Sequence, residues 1–155
     1  MMAADVYTSI KNFFDENSIS YREVEHASGA SAEEYHNALG CRYEQQAKCL
    51  LLKAYGDTEY FVILTIPAQK RANLDLIAST LKVRKIRMAT KEELKEVTGC
   101  NFGELPPLGK IFNLSLVMDG DFLSESEIFL NAGRVDRSFI INPLELKRAE
   151  NPLII

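Results

Sequence analysis

Lys48 is the charged residue whose position most strongly suggests chemistry, because it begins an apolar run and lies between Ala47 and Cys49. An ammonium group that faces a pocket can hold an anion or polarise a carbonyl group. A lysine at the edge of a strand can instead reach water along its flexible stem. Buried lysines are rare, so the sequence leaves both interpretations open.

A loop rich in glycine and proline, residues 103–109, is the second candidate. Glycine lets a ligand approach the backbone closely, and proline stiffens a loop while removing amide donors. The pattern therefore predicts a rigid wall that offers backbone carbonyl groups and a few amides. A structural turn is the alternative, since both residue types occur in any loop. The candidate binding residues here are Gly103, Glu104, Leu105, Pro106 and Pro107.

His26, Gly133 and Cys49 are further candidates. His26 ends a predicted strand and could act as an acid or a base, but no Ser or Asp partner is identifiable in the sequence. Gly133 lies between two predicted strands, where a hairpin turn explains it. Cys49 could be a nucleophile, although an apolar strand disfavours the thiolate and favours core packing.

The cysteines and histidines show no spacing typical of a metal site. The three cysteines form no C-x-x-C pair, the two histidines lie ten residues apart, and there is no H-E-x-x-H motif. The sequence therefore predicts no disulfide framework, no metal and no other cofactor.

The segment of residues 82–95 is basic in an otherwise acidic chain, with six basic and two acidic residues. It could contact RNA phosphates, or it could be an ordinary solvated face. The whole chain carries a net charge of −4, which argues against non-specific coating of nucleic acid. The candidate phosphate contacts are Lys82, Arg84, Lys85 and Arg87.

The composition is that of one folded domain, residues 1–155. Hydrophobic residues make up 46% and charged residues 26% of the chain. No run of about 18 apolar residues occurs, and the first residues do not resemble a secretory signal. We therefore expect a cytoplasmic protein without a membrane partner.

The elements that must position these residues form a mixed pattern. Two long apolar runs, 46–54 and 58–66, flank a short turn and predict a central antiparallel hairpin. Capping boxes at Ser31 and Thr90 predict helices that end at Gly40 and Gly99. The class predicted is α+β, with a mixed, barrel-like sheet and flanking helices. The other predicted elements are helices at 3–16, from Asn73 and from Asn142, strands at 19–26, 84–88, 114–119, 127–131 and 137–141, and a tail at 151–155.

Residues 19–147 resemble the YbaK-like family, the free-standing relatives of the editing domain inserted in bacterial prolyl-tRNA synthetases. The matching pieces occur in the family order, and the lysine strand, the G-x-x-x-P loop and the late glycine turn are together fairly specific. These pieces are EVEH, SAEEYHNALG, AKCLLLK, LTIPAQKRANLDLIASTL, KIRMATKEELKEVTG, the G-x-x-x-P element at 103–107 followed by PPLG, and FLNAGRVDRSFIINPLEL.

The resemblance implies a trans-editing deacylase, which hydrolyses the ester between a wrong amino acid and the 3′-terminal adenosine of tRNA. The family's lysine falls on Lys48, and its pocket glycine falls on Gly133. We expect Lys48 to orient the ester through the terminal phosphate or ribose, and residues 103–107 to hold the carbonyl group and the attacking water. His26 is expected among the substrate-binding residues. Aminoacyl-tRNA is the expected partner, a synthetase is a further candidate, and DNA is not expected.

The segment QQAKCLLLK is closer to the subgroups that clear small or hydroxylated amino acids than to the Cys-specific branch. Alanine, serine, threonine and cysteine all stay open, with tRNA-Pro as a candidate acceptor. Cys49 departs from the Thr, Asn or Ala expected after the lysine. An inactive relative that binds tRNA or a synthetase is the alternative function, and retention of Lys48 and of the complete loop favours the enzyme.

Overall fold

The structure, a computed structural model, describes residues 5–27 and 31–155. These residues form five α-helices and eight strands. The helices are α1 (Val6–Glu16), α2 (Ala32–Leu39), α3 (Leu74–Leu81), α4 (Lys91–Thr98) and α5 (Pro143–Glu150). The strands are β1 (Arg22–Glu25), β2 (Ala47–Tyr55), β3 (Glu59–Pro67), β4 (Lys85–Met88), β5 (Ser115–Met118), β6 (Ile128–Asn131), β7 (Arg137–Ile141) and β8 (Leu153–Ile154).

The described strands form two open sheets. One has the order β4-β2-β3-β5-β8 and the other the order β1-β7-β6. The antiparallel β2–β3 pair is the predicted central hairpin, whereas β5 runs parallel to β3. The sheets meet at one isolated parallel bridge between Gln46 and Phe129. The predicted α+β class is confirmed. The predicted barrel-like sheet is not closed: among the described strands, it consists of two open sheets that are joined at this bridge.

Local caps fix the helix boundaries that the sequence predicted. The Ser31 hydroxyl accepts a hydrogen bond from the Glu34 amide, and Gly40 ends α2 in the left-handed conformation at φ +68°. Both bonds of the second capping box form at Thr90, and Gly99 ends α4 at φ +77°. Helix α1 begins at Val6 and is capped by Asp5; residues 3 and 4 of its predicted span lie outside the described residues.

The predicted tail at 151–155 is wrong, because part of it is a strand. Leu153 and Ile154 pair in parallel with Val117 and Met118 of β5. The Ile155 amide also donates to the Met118 carbonyl oxygen. A strand of two residues is too short to show a periodic pattern in the sequence, and only its pairing with β5 identifies it as a strand.

Strand β2 is mostly apolar because both of its faces are covered. Ala47 and Leu51 pack into the core with α1 and with strands of both sheets. Leu52 and Ala54, on the opposite face, pack against α3. This double coverage explains the continuous apolar run that the sequence shows, and it places Lys48 at the end of a rigid strand. No helix in the described ranges is long and apolar enough to cross a membrane.

A buried carboxylate ties α5 to the end of the glycine-proline loop. Glu150 is 6% exposed, and its Oε1 accepts hydrogen bonds from the Gly109 amide at 2.9 Å and the Lys110 amide at 3.3 Å. A side chain at Gly109 would lie 2.3 Å from the carbonyl oxygen of Leu114, so the backbone approaches closely here. Burial raises the pKa of Glu150, while these two amides partly oppose the rise.

We expect Glu150→Ala to lower the free energy of unfolding by about 1–3 kcal/mol, because two amides would lose their acceptor. Urea denaturation measures the loss. Glu145→Ala on the same helix is the control, since its partner Arg148 is an exposed residue and such ion pairs contribute little. Equal losses in the two variants would show that the buried acceptor is not the cause.

Candidate active site

Lys48 lies at the start of β2, opposite Ile66 of β3. Its side chain is half-buried, and Nζ donates a hydrogen bond to the Lys70 carbonyl oxygen at 2.7 Å. Burial lowers the pKa of Lys48, and the positive charge of Arg71 lowers it further. An ammonium group that is partly desolvated beside a second cation is suited to an anionic ligand.

The segment between β3 and α3 holds this lysine in place. Lys70 presents its carbonyl oxygen to Lys48, and its own Nζ forms ion pairs with Asp119 at 2.9 Å and Asp121 at 2.5 Å. These two acidic residues follow β5. The ion pairs therefore connect the backbone that orients Lys48 to the neighbouring part of the large sheet.

Lys48 lines a cavity of about 100 Å³ at the junction of the two sheets. This volume corresponds to roughly three water molecules, or to a small side chain. The walls come from α2, from the start of β2, from β6 and β7, and from the glycine-proline loop. The lining residues are Ala32, Tyr35, Gln46, Ala47, Lys48, Cys49, Ala68, Gly103, Phe129, Leu130, Asn131 and Ser138.

The glycine-proline loop contributes Gly103 to this lining. Gly103 has φ +84°, a conformation that glycine adopts without strain. The loop is fastened to β6, because the Asn131 side-chain amide donates to the Leu105 carbonyl oxygen at 3.2 Å. Leu105 itself is core, at 3% exposure. The other loop residues predicted to bind substrate do not line the cavity: Glu104, whose carboxylate accepts from the Asn101 amide, and the buried Pro106 and Pro107.

His26 reaches the cavity through Ser138. Its Nδ1 lies 2.8 Å from the carbonyl oxygen of Ala27, and its Nε2 lies 2.9 Å from the Ser138 hydroxyl. A carbonyl oxygen can only accept, so Nδ1 carries the proton in the neutral ring and Nε2 accepts from Ser138. His26 therefore orients a residue of the cavity wall and does not itself line it.

Gly133 packs against α1. It turns the chain between β6 and β7 at φ +75°. A side chain at this position would lie 2.8 Å from Cγ1 of Val6 and 3.0 Å from the Tyr7 amide nitrogen. The absence of a side chain thus lets the hairpin approach the helix, and the residue is not part of the cavity lining.

The predicted phosphate contacts lie at the other end of β2. Lys85 pairs with Tyr55, seven residues from Lys48, which corresponds to about 23 Å along a strand. The Arg87 guanidinium is bound to both carboxylate oxygens of Glu93, at 2.7 and 2.9 Å, and to the Tyr55 hydroxyl. The exposed members of the set are Lys82, Arg84 and Lys85.

The cysteines are poor nucleophiles in this environment. Burial raises the pKa of Cys49 to about 12 and that of Cys100 to about 11. Since the thiolate is the reactive form, both side chains are almost entirely unreactive near neutral pH. Among residues 5–27 and 31–155, no group of three or more His, Cys, Asp or Glu side chains could hold a metal ion.

Four residues near the site were not singled out from the sequence: Tyr35, Asn131, Ser138 and Arg71. None of them is unusual in its own element. Tyr35 lies in the capped helix α2, Asn131 and Ser138 lie in strands, and Arg71 lies in a loop. The adjacent Lys70-Arg71 pair, directly after the central hairpin, is a signal that could have indicated an anion site.

The architecture is shared with two crystal structures. A candidate trans-editing enzyme for prolyl-tRNA synthetase superposes with a TM-score of 0.82 at 23% identity, covering 99% of this chain and 97% of the other. A hypothetical protein gives a TM-score of 0.85 at 21% identity, with coverages of 94% and 96%. At sequence identities this low, these superpositions establish only the fold. The fold is that of a small α+β domain with two sheets.

The sequence comparison identifies the family. Residues 26–149 match the aminoacyl-tRNA editing domain. The chain is also 30% identical, over 137 residues, to the multifunctional Ser/Thr-tRNA deacylase ProXp-y of Escherichia coli K12. The aligned residues cover 87% of this chain and 82% of that protein. The protein belongs to the aminoacyl-tRNA editing domain family, as the lysine strand and the glycine-proline loop predicted.

Proposed function

We propose that this protein deacylates mischarged tRNA that carries a small or hydroxylated amino acid. The observation that carries the proposal is the placement of Lys48 on the wall of a cavity the size of a small side chain. Membership of the editing domain family supports it. The similar Escherichia coli protein is named a Ser/Thr-tRNA deacylase, which favours serine and threonine among the candidate amino acids.

The chemistry requires little from the protein besides position and charge. An aminoacyl ester is already activated, so water can add to its carbonyl carbon with help from the neighbouring ribose hydroxyl. The tetrahedral intermediate then expels the ribose oxygen, which takes up a proton, and free amino acid and tRNA are released. Lys48 binds the terminal phosphate or ribose, and the backbone at Gly103 faces the aminoacyl group. Such positioning and electrostatic stabilisation can supply most of a rate enhancement.

The size of the cavity determines which amino acid side chains can enter it. One methylene group in an apolar pocket changes binding by only about 1–3 kcal/mol, which is too little for accurate translation in a single step. A second pocket that admits small residues and excludes larger ones adds an independent step. A volume of about 100 Å³ suits that role.

The decisive experiment is deacylation of a panel of labelled Ala-, Ser-, Thr-, Cys- and Pro-tRNAs, beginning with tRNA-Pro as the acceptor. Selective hydrolysis of small or hydroxylated amino acids is the expected result. Addition of prolyl-tRNA synthetase to the same assay tests the partnership with a synthetase. If the folded protein hydrolyses none of these esters, the proposal is wrong and the protein is a binding module.

We expect the KM for aminoacyl-tRNA to rise roughly tenfold between 50 and 200 mM salt if two phosphates are contacted, with kcat unchanged. The proposed contacts are the exposed Lys82, Arg84 and Lys85, together with Arg71 near Lys48. Steady-state kinetics at several salt concentrations measure the effect. The control substrate is an aminoacyl-adenosine ester without the tRNA body, whose KM should change little. Equal behaviour of the two substrates would exclude a phosphate-binding surface.

A further inference from the structure

One wall of the cavity carries a phenol group that makes no hydrogen bond within the part of the chain that the structure describes. Tyr35 is 8% exposed and lines the cavity from α2. Its hydroxyl is buried and makes no hydrogen bond to any residue in the described ranges. Leaving a buried hydroxyl unpaired is costly, so such a group is available to a ligand in the cavity.

The phenol is well defined in position and in chemical state. The rings of Tyr35 and His26 meet edge to face, with centroids 5.2 Å apart. Burial raises the pKa of Tyr35 to about 12, while a contact with the Ser138 hydroxyl, which lies outside direct hydrogen-bonding geometry, partly opposes the rise. The group is therefore a neutral O–H near pH 7, and it can donate one hydrogen bond into the cavity.

Ser138 supplies the complementary group on β7. It is 1% exposed, lines the same cavity, and donates its own proton to Nε2 of His26. The lone pairs of its oxygen are then left to accept. Because Nδ1 of His26 is fixed by the carbonyl oxygen of Ala27, the direction of this chain of hydrogen bonds is fixed as well.

We propose that Tyr35 and Ser138 together read the side-chain hydroxyl of the amino acid, the phenol donating to it and the serine oxygen accepting from it. This inference rests on the proposed deacylase function and makes the substrate class specific: serine or threonine in preference to alanine. An alcohol satisfies both protein groups, whereas a methyl side chain leaves the Tyr35 hydroxyl unpaired and gives the Ser138 oxygen no donor. Sites built to pair a substrate hydroxyl reject analogues that lack it far better than apolar pockets reject a methylene group.

The test is Tyr35→Phe, which removes one oxygen atom and keeps the ring. We expect the ratio of kcat/KM for Ser-tRNA to that for Ala-tRNA to fall about tenfold, as for the loss of one buried hydrogen bond. The thermal midpoint should stay the same or rise, because the variant removes an unpaired polar group. Ser138→Ala should lower the ratio in the same direction. Tyr60→Phe, at the far end of β3, is the matched control and should change neither quantity.

A second readout does not depend on turnover. Binding of non-hydrolysable serylamido- and alanylamido-adenosine should show the same loss of preference in Tyr35→Phe. An unchanged ratio in a variant of an active enzyme would overturn the role of Tyr35 and leave the proposed function standing. An equal loss for both amino acids, or a clear loss of stability, would make Tyr35 structural and would also overturn it. If the unmodified protein hydrolyses no aminoacyl-tRNA, the proposed function fails and this inference fails with it.

Discussion

Lys48→Met is expected to lower kcat/KM for the preferred aminoacyl-tRNA by about 10²-fold, because the contact to the terminal phosphate or ribose that positions the ester would be lost. The ammonium group is the cation on the cavity wall and is aimed by the Lys70 carbonyl oxygen. Methionine keeps the length and much of the volume of the side chain. A large effect would therefore report the loss of charge rather than a change of shape.

Stability should be nearly unchanged in this variant. Burial lowers the pKa of Lys48, so folding favours the neutral amine and the charged form is the one that costs free energy. Below the folded-state pKa the charged lysine therefore reduces stability, and methionine removes that cost together with one hydrogen bond. Urea denaturation of both proteins checks this point.

Lys53→Met is the matched control. Lys53 lies on the same strand, but its side chain pairs with Glu59 at 3.4 Å, remote from the cavity. We expect its deacylation kinetics to equal those of the unmodified protein. If Lys48→Met stayed fully active, or if both variants lost the same activity, the assignment of Lys48 to the ester would be wrong.

Gly133→Ala is expected to lower the free energy of unfolding by about 2–5 kcal/mol. A left-handed conformation costs a residue with a side chain about 1–2 kcal/mol, and overpacking against the backbone adds about 1–3 kcal/mol. The added carbon would meet both the side chain of Val6 and the backbone of Tyr7. Helix α1 would then have to move away from the hairpin.

Gly40→Ala separates the two contributions. Gly40 also has a positive φ, at +68°, but a side chain there would meet nothing within 4 Å. Gly40→Ala should therefore lower the free energy of unfolding only by the cost of the left-handed conformation, about 1–2 kcal/mol. Equal losses at the two positions would exclude the clash with α1. A fully stable Gly133→Ala protein with poor deacylation would instead return this glycine to the substrate pocket.

The sequence predicts features that depend on neighbouring residues in the chain. The capping residues Ser31 and Thr90 satisfy amides within one turn, so helix starts follow from local chemistry. The β2–β3 hairpin follows in the same way from two apolar runs and a short turn. The family resemblance, which joins several such pieces, identified the fold and singled out Lys48, whose role in the reaction stays a prediction.

Features that depend on distant residues were not predictable. Strand β8 exists because β5 offers it an unpaired edge. The side chains of Tyr35 and Ser138 meet only after α2 and β7 have packed, and neither residue type is unusual in its own element. The position of Gly133 illustrates the same limit, since the sequence shows a turn but cannot show that α1 crosses it.

The cavity occupies the junction between two sheets, and this location bears on how such domains diverge. Each sheet has its own ladder of hydrogen bonds, and one isolated bridge, between Gln46 and Phe129, joins them among the described residues. The lining side chains come from α2 and from strands of both sheets, so an exchange of one side chain changes the cavity while the strand ladders of both sheets keep their hydrogen bonds. We expect exchanges at these positions to alter which amino acid is accepted. A single scaffold can thus give rise to descendants with different substrate preferences through few mutational steps.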